Sequence, residues 1–231
     1  MKQLSLSFLF LMMVSFAEAS DTLIIRSIGQ DFVPDGKGSH AAWAAAGWEE
    51  MPKIDTMATP YTARFKTLYS SKGVYVLFEG SDQKITSIYK KDFSEMYRGD
   101  VFEIFLHPDP SSPMYFEYEV NAFNKELVLM IMNLNGRFGG WIPWMYKNDR
   151  KVVKKVSIQK DGGKMKGWMA EVFIPFTLLS PLENNPPVPG SVWKGTFCRL
   201  DYDTGKMIKW SWAPIEVSFH EYQRYRTIVF E

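Results

Sequence analysis

A single cysteine, Cys198, in a chain of 231 residues leaves no partner for an intrachain disulfide. It lies in the apolar run Thr196-Phe197-Cys198-Arg199-Leu200, which reads as a buried, unreactive thiol. No cysteine stands near the N-terminus to accept a lipid, so an acyl anchor has no support. Histidine is nearly as scarce: His40, His107 and His220 are far apart and lack the paired spacing of a zinc site. No serine sits in a nucleophile elbow. The net charge is +1 without a basic stripe, which argues against a nucleic-acid partner. Beyond the first residues no apolar run approaches the ~18 residues of a membrane helix. Repeats and long internal linkers are also missing.

What is present begins with Lys2, an apolar run from Leu4 to Phe16, and Ala17-Glu18-Ala19. That is the pattern of a secretory signal at 1–19 with cleavage near Ala19/Ser20. It predicts a secreted or periplasmic protein whose mature part, 20–231, is one domain. Aromatic residues make up 16% of the chain, with eight Trp, so some rings are expected on the surface.

The organising stretch is Asp100-Val101-Phe102-Glu103-Ile104-Phe105-Leu106-His107, followed after a Pro-rich turn by Tyr115-Phe116-Glu117-Tyr118-Glu119-Val120-Asn121. Strand alternation sets Phe102, Ile104 and Leu106 against Val101, Glu103 and Phe105. It likewise sets Phe116, Tyr118 and Val120 against Tyr115, Glu117, Glu119 and Asn121. The two strands form an antiparallel pair with one packed face, and the other face is expected to be a polar surface edged by aromatics. Similar patterns at 62–80, 152–174 and 192–230 predict an all-β fold of two closed antiparallel sheets, sandwich or barrel.

Paired carboxylates are what a glycosidase needs. Asp100 and Glu103 leave opposite faces of their strand; Glu117 and Glu119 share one, about 7 Å apart by strand geometry, a spacing any polar strand face gives. The loop carrying Trp141, Trp144 and Tyr146 is a candidate second aromatic surface. Carboxylates at Asp82, Asp92, Asp109 and Asp203 are candidate ligands for a structural calcium, although no EF-hand-like loop is present.

Asp100-Val101-Phe102-Glu103-Ile104-Phe105 with Tyr118-Glu119-Val120-Asn121 resembles the central strands of family 9 carbohydrate-binding modules and their DOMON-like relatives. Gly167-Trp168-Met169-Ala170-Glu171-Val172-Phe173-Ile174-Pro175 fits as well, as do Gly190-Ser191-Val192-Trp193 with Arg199, and Trp212-Ala213-Pro214 with Phe219-His220. The ordered set spans roughly residues 35 to 231. The resemblance implies the sandwich rather than the barrel, and a glycan held between two aromatic platforms. By motif position these are Tyr97 and Phe219, with Glu103, Glu119, Asn121 and His220 around them. Both platforms are smaller here than the Trp usual in the characterised module, and Glu119 stands where that module has an arginine. From the residues alone, Tyr97 either presents its ring or closes a loop, Phe219 is either a platform or a turn's core residue, and Glu103 is either a ligand contact or a satisfied acid.

The leading expectation is an exported, non-catalytic carbohydrate-binding protein in polysaccharide catabolism, with glycoside hydrolases as candidate partners. Two alternatives remain open. One is a haem b electron carrier, since some DOMON-like relatives hold haem between Met and His or Met and Lys, with His107 or His220 as the histidine here; the other is a glycoside hydrolase component.

Overall fold

The computed structural model describes residues 21–231, so the signal expected at 1–19 lies outside the described residues. Six strands come first: β1 (Thr22–Ser27), β2 (Glu49–Glu50), β3 (Ala63–Tyr69), β4 (Gly73–Ser81), β5 (Val101–His107) and β6 (Met114–Asn121). Then follow β7 (Glu126–Leu134), β8 (Arg137–Pro143), β9 (Val153–Asp161), β10 (Lys164–Pro175), β11 (Val192–Asp201), β12 (Ile208–Ser211) and β13 (Arg226–Phe230). Helix among the described residues is confined to short 3-10 turns such as Met96–Arg98.

One sheet runs β8-β7-β6-β5-β11-β13-β1 with β12 beside β11; the other runs β1-β3-β4-β10-β9 with β2 beside β3. Strand β1 serves both, pairing Thr22 to Ile25 with β13 and Arg26 and Ser27 with β3. Both of those pairings are parallel, whereas the pairs between the other strands are antiparallel. Alternation fixes which face a side chain takes and says nothing of strand direction, so the parallel entry of β1 was not legible in it.

The inner faces meet as alternation predicts. Phe102, Ile104 and Leu106 of β5 and Phe116, Tyr118 and Val120 of β6 share one core with Phe65, Val76, Phe78, Trp168 and Ala170 from the second sheet. Rings bridge the layers: Phe78 stacks on Phe102 at 4.7 Å and Phe65 on Phe197 at 4.0 Å. Trp168, Trp193, Trp210 and Trp212 are all buried. The outer face of the second sheet is closed by the N-terminal segment, where Glu171 accepts the backbone N–H of Asp35 and Gly36 (both 2.8 Å) and the Trp43 indole N–H (2.8 Å).

The outer face of the first sheet corrects the expectation of a polar surface. Val101, Phe105, Tyr115, Leu129, Ile131 and Cys198 are buried there against Met96, Phe219 and Tyr225 from overlying loops. The same face that carries Glu103, Glu117 and Glu119 is therefore largely roofed. Glutamates at alternate positions read as solvated because no local pattern reports what a distant loop will cover.

Between the sheets Arg199 is fully buried. Its Nη1 donates to the carbonyls of Thr62 (3.0 Å) and Ser81 (2.8 Å), and its Nη2 donates to Asp82 (3.1 Å) and Asp201 (2.8 Å). The guanidinium lies 5.0 Å from the Trp210 ring and 5.9 Å from the Phe102 ring. A Cβ on Gly80 of β4, in the facing sheet, would come within 2.6 Å of its Nη1 and 2.9 Å of the Phe102 ring, so glycine there makes room for the guanidinium. Burial pushes Asp82 up to about 7 even though Arg199 pulls it down. Removing the cation leaves two buried carboxyls without compensation. Arg199→Met should lose about 3–5 kcal/mol of stability. The deficit should grow as pH rises and the two acids ionise, which urea titrations at acid and neutral pH measure directly.

Candidate functional site

Register across β5 and β6 places Glu103 directly opposite Glu119, with Glu117 one diagonal step away. Cys198 of β11 flanks Glu103 on the other side. The three carboxyl groups thus form one patch on adjacent strands. They are 2%, 4% and 0% exposed for Glu103, Glu117 and Glu119. Oε1 of Glu103, Oε2 of Glu117 and both carboxyl oxygens of Glu119 are buried without a well-formed hydrogen bond to the rest of the protein, although the Glu117 and Glu119 carboxyls interact with each other and the Tyr97 backbone N–H stabilises Glu119. Burial raises the pKa of Glu103 and Glu119 well above 4.5, and the charge of neighbouring glutamates adds to it. Glu117 is pushed up to about 8, again by burial.

Above this floor is a pocket of about 320 Å³. Tyr97, Phe138, Trp141, Phe219 and His220 form its walls, with Lys209 on the rim. Tyr97 arrives on the Met96–Arg98 turn, where its carbonyl accepts the Tyr202 hydroxyl at 2.7 Å. Asp100, two residues after that turn, ties it to two other segments: it accepts the N–H of Thr86 and, at 2.9 Å, that of Tyr202. Trp141 and Phe138 come from β8, an edge strand with most residues exposed; Trp141 sits opposite Ile131 of β7. The Phe219-His220 loop is held by three contacts. Tyr225 donates to the Phe219 carbonyl (2.7 Å), Asn133 Nδ2 donates to the His220 carbonyl (2.9 Å), and His220 Nδ1 pairs with the Tyr115 hydroxyl (2.9 Å). Glu221 accepts N–H groups from Glu216, Val217 and Ser218 and closes the same loop.

Five of the six residues expected at a binding site, Tyr97, Glu103, Glu119, Phe219 and His220, line this one pocket. Asn121 does not. It is buried, donates from Nδ2 to the Tyr89 carbonyl (2.7 Å) and accepts the N–H of Phe123 (3.0 Å) and Lys125 (3.1 Å). Its amide closes the β6–β7 turn and pins the loop before Tyr97, so its role is positional.

The expected second aromatic surface is also corrected. Trp141 joins the first pocket, whereas Trp144 packs on the core with its indole N–H on the Leu178 carbonyl (3.0 Å). Tyr146 donates its hydroxyl to Glu126 and lines a different cavity. Residues three apart in extended chain leave opposite sides, which separates Trp141 from Trp144. In the sequence Glu117 stands out only as a partner of Glu119 for hydrolysis. The signal for a triad was the shared outward face of Glu103, Glu117 and Glu119, but their meeting needed the cross-strand register. Phe138 and Lys209 carried no local signal.

Two cofactor readings can be tested against the donors present. Asp82, Asp201 and Asp203 converge within 4.8 Å. All six of their carboxyl oxygens already accept donors: Lys84 N–H, Arg199 twice, Asp203 N–H, Thr86 and Tyr61. Asp92 and Asp109 lie in other turns, accepting from Glu126 N–H and from Ser111. The set does not fit a calcium cage, because a guanidinium already serves two of its three acids. For haem, His107 Nε2 is engaged by the Ser112 carbonyl (2.9 Å) away from the pocket. His220 and Met207 share the wall of a pocket whose volume of about 320 Å³ lies at the small end for an organic ligand, and His220 Nδ1 is already paired with the Tyr115 hydroxyl.

The sequence model of carbohydrate family 9 binding domain-like proteins matches residues 33–188. The chain belongs to that family. The matched segment holds Tyr97, the three glutamates and Trp141 and stops before Phe219 and His220. Among solved structures the chain is similar to a Bacteroides uniformis ATCC 8492 protein provisionally assigned to carbohydrate binding. They share 14% identity over 91% of this chain and 99% of that one, with a TM-score of 0.73. It is also similar to a family 9 carbohydrate-binding module from Caldicellulosiruptor kristjanssonii in complexes with cellotriose and with glucose. Each has 17% identity and a TM-score of 0.63, covering 91% of this chain and 93% and 95% of the module. Those neighbours share the β-sandwich fold. No curated protein matches the chain significantly.

The acid floor of this family 9 domain makes stability depend on pH. Each folded-state pKa lies above the ordinary 4.5. The folded chain therefore holds the extra protons, and stability falls as pH rises from about 4.5 toward 8. Glu119→Gln should flatten that slope and raise the unfolding free energy at the alkaline end by on the order of 1 kcal/mol, with no gain below the ordinary carboxylate range. Melting curves across this pH range test it, and a wild-type midpoint that does not move would contradict the raised values.

Proposed function

We infer that the protein is an exported, non-catalytic carbohydrate-binding protein that holds an oligo- or polysaccharide in the outer-face pocket and serves polysaccharide breakdown alongside glycoside hydrolases. The observation that carries this reading is the combination of aromatic walls at Tyr97, Trp141 and Phe219 with a floor of carboxyl groups whose hydrogen-bonding capacity is largely unused. Sugar rings stack their C–H faces on aromatics, and their hydroxyls need fixed acceptors and donors. Membership of a family of binding domains supports the same reading, and so do the cellotriose and glucose complexes of the Caldicellulosiruptor module. Trp141 offers the large ring that Tyr97 and Phe219 do not. Export rests on the signal pattern at 1–19 and is compatible with the finding that no described helix is long and apolar enough to cross a membrane.

With the best ligand from a glycan array, Tyr97→Ala and Trp141→Ala should each weaken binding by about 1–3 kcal/mol, roughly tenfold to a hundredfold. Both rings are partly or largely exposed, so melting temperatures should hardly move. Phe219→Ala should lose stability as well as affinity, because its ring is 8% exposed and packs edge-on against Phe105 at 6.2 Å. Calorimetry beside melting curves separates these effects, and unchanged affinity in both Tyr97→Ala and Trp141→Ala would remove the pocket from consideration. N-terminal sequencing of the exported protein should begin near Ser20; a soluble product retaining Met1 argues against export.

A further inference from the structure

We propose that this pocket selects a protonated amine, and that its preferred ligand is a sugar with a free amino group rather than its neutral or N-acetylated counterpart. The proposal rests on the carbohydrate-binding reading above and narrows it to a ligand class. Its basis is a cluster of buried acids with no cation paired to it. Three acids at least nine-tenths buried, Glu103, Glu117 and Glu119, line one space with four carboxyl oxygens that lack a well-formed hydrogen bond, the Glu117 and Glu119 carboxyls having chiefly each other. Among the described residues no ion pair joins a cation to any of the three. Lys209 is the one basic side chain on the pocket wall other than His220, and its ammonium is bound to the Val217 carbonyl at 3.0 Å. Arg98, beside Tyr97, pairs with Glu95 at 2.9 Å. Arg199 projects from the same strand as Cys198 but between the sheets, where Asp82 and Asp201 neutralise it.

The surrounding groups fit a cation with a carbon skeleton better than they fit a bare ion. Among the described residues the three glutamates do not converge within 4.8 Å as a metal-ligand set would; the acids that do so are Asp82, Asp201 and Asp203. An ammonium on a sugar ring brings three donors and a positive charge to acceptor groups that have no paired cation. Ring faces on the walls attract the same charge, most strongly a Trp such as Trp141. A neutral sugar can use the floor only through hydroxyl donors and leaves the burial of these acids uncompensated. Such compensation is also a proton switch: a bound cation favours ionised carboxylates, so floor protons leave when it arrives. Tyr115, Tyr202, Tyr225, Cys198 and His220 also face this region, and burial holds each in its neutral form near neutral pH. The proton release is therefore assigned to the glutamates.

The test is calorimetry on the purified protein near neutral pH with glucosamine trisaccharide, its N-acetylated counterpart and cellotriose, each in two buffers of different ionisation enthalpy. The expected result is binding of the free amine about tenfold or more tighter than either neutral sugar, the scale of a charged hydrogen bond. Proton release should accompany the amine alone. Glu119→Gln and Glu117→Gln should shrink the preference and the proton release together, and melting curves verify that both variants are folded. Comparing acetylated with free amine needs no variant, so the proposal stays testable if a substitution disturbs folding. Equal or tighter binding of N-acetylated sugar or cellotriose overturns the amine preference and leaves carbohydrate binding standing. Failure of the free amine to bind while the glycan array yields another ligand overturns the amine preference alone, and silence of the array as well overturns both.

Discussion

Burying three carboxyl groups side by side on β5 and β6 costs free energy, and those strands can hold them only because their opposite faces are packed into the main core. Phe102, Ile104, Leu106, Phe116, Tyr118 and Val120 are fully buried between the sheets. Each such side chain contributes about 1.5–3 kcal/mol on burial, so the apolar face outweighs a few strained acids on the polar one. The result is a rigid sheet that fixes Glu103, Glu117 and Glu119 in their register whether or not a ligand is present.

The two faces of the first sheet deal with charge in different ways. Between the sheets, Arg199 is surrounded by carbonyls, carboxylates and rings, with four donated hydrogen bonds. That network joins β11 to β4 and to the Thr62 turn and leaves little for a ligand to do. On the outer face the acids face a cavity without a counter-charge. Groups prepaid in desolvation and lacking well-formed hydrogen bonds are what a binding site needs, since a ligand that completes them replaces no strong contact within the protein. The two sets of carboxyl groups thus differ in their partners rather than in their residue type.

The loops decide access. Asp100 and Asn121, both buried, use their side chains on backbone groups of the segment before Tyr97, and Glu221 does the same for the Phe219 loop. Polar residues next to the pocket therefore hold its walls, and the rings and the acid floor are what the cavity presents. Edge strand β8 completes the enclosure by swinging Trp141 over the same floor.

Period-two alternation determined much of this protein by itself: the hairpins, the inward face of β5 and β6, the all-β class, and the shared outward face of the glutamates. It could do so because side-chain direction in a strand is a local property. The tight turn around Gly99 and the ordered motifs located Tyr97 and Glu103 as well. Only tertiary structure decided that Glu103 lies opposite Glu119, that the outer face is roofed, and that Trp141 and Tyr97 stand over one pocket while Trp144 turns to the core. Asn121 looked like a ligand contact because an exposed and a turn-closing amide are identical in sequence. Register, parallel entry of β1 and the path of long loops depend on contacts between residues distant in the chain, and no local pattern encodes which distant partner closes over a given face.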